Sequence, residues 1–205
     1  MKERPILMSA EMVRALLAGR KTQTRRLVKL MDTGRVKLPG SHRNWHLEDP
    51  NVVKACPYGL PGDRLWVKET FLQRNSTTIY RADLYLFEAA GISLNFNWKP
   101  SIFMPRKASR LTLEIKTLRV ERLQDISEAD AKAEGIQCPG CQSGEHIACT
   151  DLVKAYRKLW ESLNGTDSWK ANPWVWVIEF QLLNKESKKS GKNSSVPAFL
   201  IKHSC

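Results

Sequence analysis

The chain has 205 residues, 42% of them apolar and seven of them Trp, enough to bury a sizeable core and to exclude a wholly disordered polypeptide. Its net charge of +12 is regional: residues 1–40 carry ten Lys or Arg against three acids, residues 101–122 carry six against two, and the segment from Asn184 onward has five Lys against Glu186. The absence of any run of 18 apolar residues excludes a hydropathy-type membrane span, and an odd count of five Cys argues against a disulfide framework, so a cytoplasmic setting with no membrane partner is expected.

Arg4 to Met8 reads as a first strand, and Ser9 as the N-cap of a helix over Ala10 to Ala18 with Met12, Val13, Leu16 and Leu17 on one face. Gly19 is expected to stop that helix in the left-handed conformation. A second strand follows over Gln23 to Val28, and residues 29–62, rich in Pro, Gly, His and Asn, read as an irregular insertion. After the Pro61-Gly62-Asp63 turn, Leu65, Val67, Glu69 and Phe71 alternate with Trp66, Lys68 and Thr70, which predicts a strand over 64–71 paired with 77–81. Residues 72–105 form a second insertion without steady period. The apolar positions of the next strand are odd at Leu111, Leu113 and Ile115 but even at Leu118 and Val120. One buried face therefore demands a bulge near Lys116–Thr117.

Ser127-Glu128-Ala129-Asp130 reads as a capping box opening a short helix that Gly135 closes, which puts Glu134 at its last turn. A third insertion spans 137–150. Leu152, Val153, Tyr156, Leu159, Trp160 and Leu163 make the wide apolar face of a longer helix, and Trp174 to Leu182 reads as a central strand, apolar on both faces at its start. The expected fold is thus α+β: a curved, barrel-like sheet of mostly antiparallel strands with flanking helices, in one domain over residues 1–183. A basic tail at 184–205 is expected to be disordered.

The chemistry concentrates behind the first helix, in Gly19-Arg20-Lys21-Thr22-Gln23-Thr24-Arg25-Arg26. Such a segment suits an anionic or strongly polar ligand. Lys21, crowded by Arg20, Arg25 and Arg26, is expected to lose its proton more easily than an isolated lysine, which fits it to act as a base. Arg20, Arg25, Arg26, Arg106 and Lys107, with Trp66 as a stacking surface, are the nucleic-acid-binding candidates. Glu69 is a lesser candidate, facing the same cleft or pairing with Arg64 or Lys68. Cys138, Cys141, His146 and Cys149 have the spacing C-x2-C-x4-H-x2-C, four ligands that suit a structural Zn²⁺ with no open position for catalysis.

Three blocks of this chain resemble the ASCH family, relatives of the PUA fold, and within it the longer phage and prophage proteins. They are the segment from Gly19 to Arg26, Pro61-Gly62-Asp63-Arg64-Leu65-Trp66-Val67-Lys68-Glu69-Thr70, and the run from Leu123 to Ile136; the closing strand from Trp174 is similar too. The resemblance implies a PUA-like barrel whose cleft binds RNA or a modified nucleoside. In the small bacterial members that remove the acetyl group from N4-acetylcytidine, the working residues are a Lys, a Thr and a Glu; by position these fall on Lys21, Thr24 and Glu134. That chemistry needs no cofactor. This chain departs from the compact enzymes in its three insertions. A non-catalytic single-stranded RNA-binding module and a ribonuclease built on Lys21, Arg26 and Glu134 are the alternatives.

Overall fold

The computed structural model describes residues 1–37, 44–74, 77–89, 97–137 and 152–183. In chain order the strands and helices are β1 (Glu3–Leu7), α1 (Ala10–Leu17), β2 (Gln23–Leu27), β3 (Val36–Lys37), β4 (Asn44–Trp45), β5 (Arg64–Lys68), β6 (Phe71–Arg74), β7 (Thr77–Tyr80), α2 (Leu84–Ala89), β8 (Thr112–Arg122), α3 (Glu128–Ala133), α4 (Leu152–Asn164) and β9 (Trp174–Leu183). Five strands form the main sheet in the order β1-β5-β8-β9-β2. Only the β1–β5 pair is parallel; the other three pairings are antiparallel.

The architecture is α+β with a mostly antiparallel mixed sheet, as the element pattern predicts. The hydrogen-bonded sheet is open, with β1 and β2 at its two edges, and is not a closed barrel. A side chain spans the opening instead: Arg26 of β2 donates from Nη2 to the carbonyl of Leu7 on β1 at 2.9 Å.

β9 organises the interior because both of its faces are apolar. Trp176, Ile178 and Phe180 enter one core with Ile6, Leu16, Leu65, Leu113 and Ile115. Val175 and Val177 enter a second core with Leu123, Ala131, Tyr156, Trp160 and Trp169, under α3 and α4. The first insertion belongs to the larger core: Val36, Val52, Ala55 and Cys56 are buried in it and Trp45 packs against it. Burial there raises the Cys56 thiol pKa to about 11, which keeps it protonated.

The phase change in β8 is resolved as expected. Ile115 pairs with Phe180 and Thr117 with Glu179, so Lys116 is an extra residue in the ladder. Leu113 and Ile115 before the bulge and Leu118 and Val120 after it all reach the same core, while Arg119 and Glu121 project to the other side. The caps follow the sequence too. Ser9 Oγ accepts from Met12 N at 3.4 Å, Ser127 and Asp130 make the reciprocal capping box, and Gly19 and Gly135 have φ of 69° and 90°. Among the described residues no helix is long and apolar enough to cross a membrane.

Candidate functional site

Residues 20–22 are clamped between the ends of two helices. The Arg20 and Lys21 backbone N–H groups both donate to Ala15 O of α1, at 2.9 and 3.1 Å, while Thr22 N donates to Ala133 O of α3 at 2.9 Å. This carries the Lys21 side chain to the C-terminal end of α3, where unpaired carbonyls favour a cation. Its Nζ donates to Glu134 O and to Glu134 Oε2, each at 2.8 Å. Lys21 and Glu134, 113 positions apart, thus form a pair whose side chains are 1% and 4% exposed.

The Lys21 pKa is lowered, as the crowding of cations predicts, but the main cause differs. Burial is the largest contribution, Glu134 opposes it, and the charges of Arg26 and Arg25 add smaller decrements. Arg25 is itself buried. Its Nη1 lies 3.4 Å from Glu134 Oε1, its Nε donates to Glu121 Oε1 at 3.1 Å, and its Nη2 lies 3.4 Å from Asp130 Oδ2. Arg119 continues the chain of charges, donating to Glu121 Oε2 and Asp130 Oδ1 at 3.0 Å each and pairing with Glu179. Glu134 therefore has a cation on each carboxylate oxygen.

Thr24 lies on β2 and is fully buried. Its Oγ1 accepts from Arg26 Nη1 at 2.7 Å, and the same nitrogen donates to Arg25 O at 2.9 Å. A guanidinium on a hydroxyl oxygen stabilises negative charge that develops there. A cavity of about 550 Å³ opens beside this cluster, where the first turn of α1, the β2 strand and α4 converge. Glu134, Arg25, Arg26 and Lys29 supply the charged part of its wall, with Ser9, Thr70, Ser101 and Asn164 beside them, and Met12, Leu159 and Trp160 contribute to the apolar part. Lys21 and Thr24 are not on its wall; they stand behind Glu134 and Arg26. The size fits a small-molecule site.

Tyr156, also on the wall, has its pKa raised first by burial and then by the Glu134 carboxylate, which keeps the phenol protonated. The α4 pattern marks Tyr156 only as an apolar-face residue. Glu121 and Ser101 are equally silent in sequence, since nothing local distinguishes them from ordinary strand and turn residues, and Ser9 is marked only as a helix cap. Asp130, which the cap explains by itself, serves the network as well. Burial raises its pKa, but hydrogen bonds from Ser127 and the charge of Arg25 outweigh this and hold it at about 2.

A carboxyl group with a depressed native pKa contributes stability above its unfolded value near ~3.9, and that contribution is lost as pH falls through about 2. Ser127→Ala is therefore expected to move the acid-unfolding midpoint upward in pH and to cost about 1 kcal/mol at neutral pH. Far-UV circular dichroism against pH checks this; an unmoved acid midpoint would contradict it.

The remaining candidates lie elsewhere. Arg20 is exposed and donates to Gly135 O at 3.3 Å. Trp66, Arg106 and Lys107 sit on the outer side of the β1–β5 edge or on the turn beside it, away from the cavity wall. Glu69 is buried against Arg110, which donates to its two oxygens at 2.9 and 3.0 Å, to Asp83 at 2.7 and 2.9 Å, and lies 4.0 Å from the centre of the Tyr80 ring. Its partner is thus Arg110 rather than Arg64 or Lys68. Burial raises the Glu69 pKa in spite of Arg110. Cys138, Cys141, His146 and Cys149 lie outside the described residues. Searches of protein-family models, curated proteins and solved structures return no match to this chain.

Proposed function

We propose that the cavity receives the base of a single nucleoside, free or within RNA, and that the chain is an amidohydrolase that removes the acetyl group from N4-acetylcytidine in a PUA-like ASCH domain. The observation that carries this reading is the Lys21–Glu134 pair, sealed from water with the carboxylate on the cavity wall. A buried ion pair is poor value as a stabilising device, whereas a desolvated lysine with a depressed pKa is suited to accept a proton.

In the proposed reaction the Arg26 guanidinium moves from Thr24 to the acetyl oxygen and stabilises the oxyanion. Lys21 passes its own proton to Glu134, and Thr24 Oγ bonds to the acetyl carbon while the resulting amine takes the hydroxyl proton. The C–N bond breaks, N4 leaves with a proton relayed through Glu134, and water then hydrolyses the threonyl ester to acetate. Cytidine and acetate should appear in equal amounts when the protein is incubated with N4-acetylcytidine. Thr24→Ala and Lys21→Met should each lower the rate by about 10²–10⁴-fold. Release that neither substitution reduces would overturn the mechanism.

A second reading is favoured by Lys21 and Thr24 standing behind the wall. In it the cavity is a binding site only, where Glu134 accepts from an exocyclic amine and Arg26 donates to a ring carbonyl. Equilibrium dialysis with cytidine would then show binding that Glu134→Gln weakens, with no acetate released. A labelled-RNA incubation tests strand cleavage in parallel.

A further inference from the structure

Tyr156 of α4 stands on the cavity wall, yet the proposed reaction gives it no part. It is 3% exposed, and the ring centres of Trp160 and Trp169 lie 6.2 and 6.3 Å from its own, with the Arg25 guanidinium 6.0 Å away. Packing of this kind fixes the phenol in one place. Among the described residues its hydroxyl has no hydrogen-bond partner, although the charges of Glu134, Arg25 and Arg26 all reach it. Trp160, one turn along α4, lines the same cavity, and its buried Nε1 has no partner there either. Buried donors left unpaired are destabilising, and native proteins keep few of them. The carboxylate on this wall, Glu134, is already shared by Lys21 and Arg25. The α4 side of the cavity therefore offers donors to a ligand that brings the acceptor and displaces cavity water.

We infer that the Tyr156 hydroxyl donates to the acyl oxygen of the ligand and, as the amide breaks, forms with Arg26 a two-donor oxyanion hole, which makes Tyr156 a further catalytic residue. The inference rests on the hydrolase reading of the cavity. The two donors differ in readiness. Arg26 has to leave Thr24 Oγ1, its partner at 2.7 Å, whereas the Tyr156 hydroxyl has no bond to give up and its ring is already held. As Thr24 Oγ bonds to the acyl carbon, the π pair of the carbonyl moves onto its oxygen. Tyr156 strengthens its hydrogen bond to that oxygen and keeps its own proton, and the pair returns to the carbonyl when the C–N bond breaks. Burial and the Glu134 carboxylate both push the phenol pKa up, so the donor stays protonated.

Tyr156→Phe removes the hydroxyl and keeps the ring. Because the hydroxyl has no partner in the protein, the midpoint of urea unfolding should stay where it is, which separates a part in the reaction from a part in folding. With N4-acetylcytidine the substitution should lower kcat about 10²-fold and change KM by less than about threefold, as for a contact made in the transition state. Equilibrium dialysis with N4-methanesulfonylcytidine, whose tetrahedral sulfonyl group resists hydrolysis, gives a reading that needs no turnover. Wild type should bind this analogue more tightly than cytidine, and Tyr156→Phe should weaken the analogue about tenfold and leave cytidine unchanged. Acetate release at the wild-type kcat in Tyr156→Phe would overturn the inference and leave the hydrolase. An analogue bound equally well with and without the hydroxyl, or a fall in kcat explained by lost folded protein, would overturn it too. Hydroxyl-dependent binding of the analogue with no acetate released by wild type would remove the hydrolase and leave Tyr156 as the donor to the acyl oxygen.

Discussion

Glu134→Ala is expected to destabilise the protein by about 3–5 kcal/mol, because it leaves the buried Lys21 ammonium with no carboxylate and takes one of three carboxylates from the buried Arg25. The Glu134 carboxylate accepts from Lys21 Nζ at 2.8 Å and faces Arg25 Nη1 at 3.4 Å, and both cations have almost no contact with solvent. Lys21→Met removes the other half of the pair but leaves Glu134 its arginine, so a smaller loss of about 1–3 kcal/mol is expected. Urea unfolding with a common slope checks the order of the two. Equal stability of wild type and Glu134→Ala would show that the pair is not buried as described.

The same pair sets a pH dependence with an unusual sign. The folded chain holds the Lys21 proton less tightly than the unfolded chain, whose lysines titrate near ~10.4. In the interval below that value the unfolded state binds more protons, so stability rises with pH and the gain is complete above it. Lys21→Met should flatten this rise.

Gly135→Ala carries the second large effect. At φ of 90° an added Cβ would lie 2.9 Å from Ala15 Cβ and 3.1 Å from Lys21 Cβ, so both the backbone conformation and the contact with α1 resist it. A cost of about 2–5 kcal/mol is expected, from left-handed strain and overpacking together. Gly165 supplies the control, since it has φ of 99° with nothing within 4 Å of the added atom, and there only the strain of about 1–2 kcal/mol applies. The displaced backbone in Gly135→Ala also carries the Glu134 carbonyl away from Lys21 Nζ. On the proposed hydrolase reading, acetate release should fall further than the loss of folded protein accounts for. Equal losses of stability at the two glycines would refute the close contact.

Local signals in the sequence were sufficient for much of this scaffold. The Ser9 and Ser127 caps, the inward Leu65 and Val67, and the bulge in β8 each follow from residues close together in the chain, whereas the strand expected over 64–71 and paired with 77–81 ends at Lys68, and it is Phe71–Arg74 that pairs with Thr77–Tyr80. The parallel pairing of β1 with β5 does not follow, because a parallel partner leaves no turn between the strands to announce it. Nor does the burial of Val36, Val52 and Cys56, whose segment has too little periodic structure to show an inward face. At the site, residue types pointed to Lys21, the family resemblance pointed to Glu134, and the helix ends that hold them were legible. The enclosure of Arg25 was not: three carboxylates from β8 and α3 surround it, and an arginine among polar neighbours reads as solvated until those elements are brought together.

Lys116, the supernumerary residue of β8, bends the strand without changing which of its side chains face the core. Were Lys116 deleted, the alternation on its two sides would come into phase and every apolar side chain of the strand would still point inward. The bend that the extra residue imposes would be lost, and with it part of the curl that brings the free margins of β1 and β2 within reach of Arg26. A single-codon deletion is thus expected to weaken the Arg26–Leu7 contact between β1 and β2 while leaving the apolar face of β8 as it was.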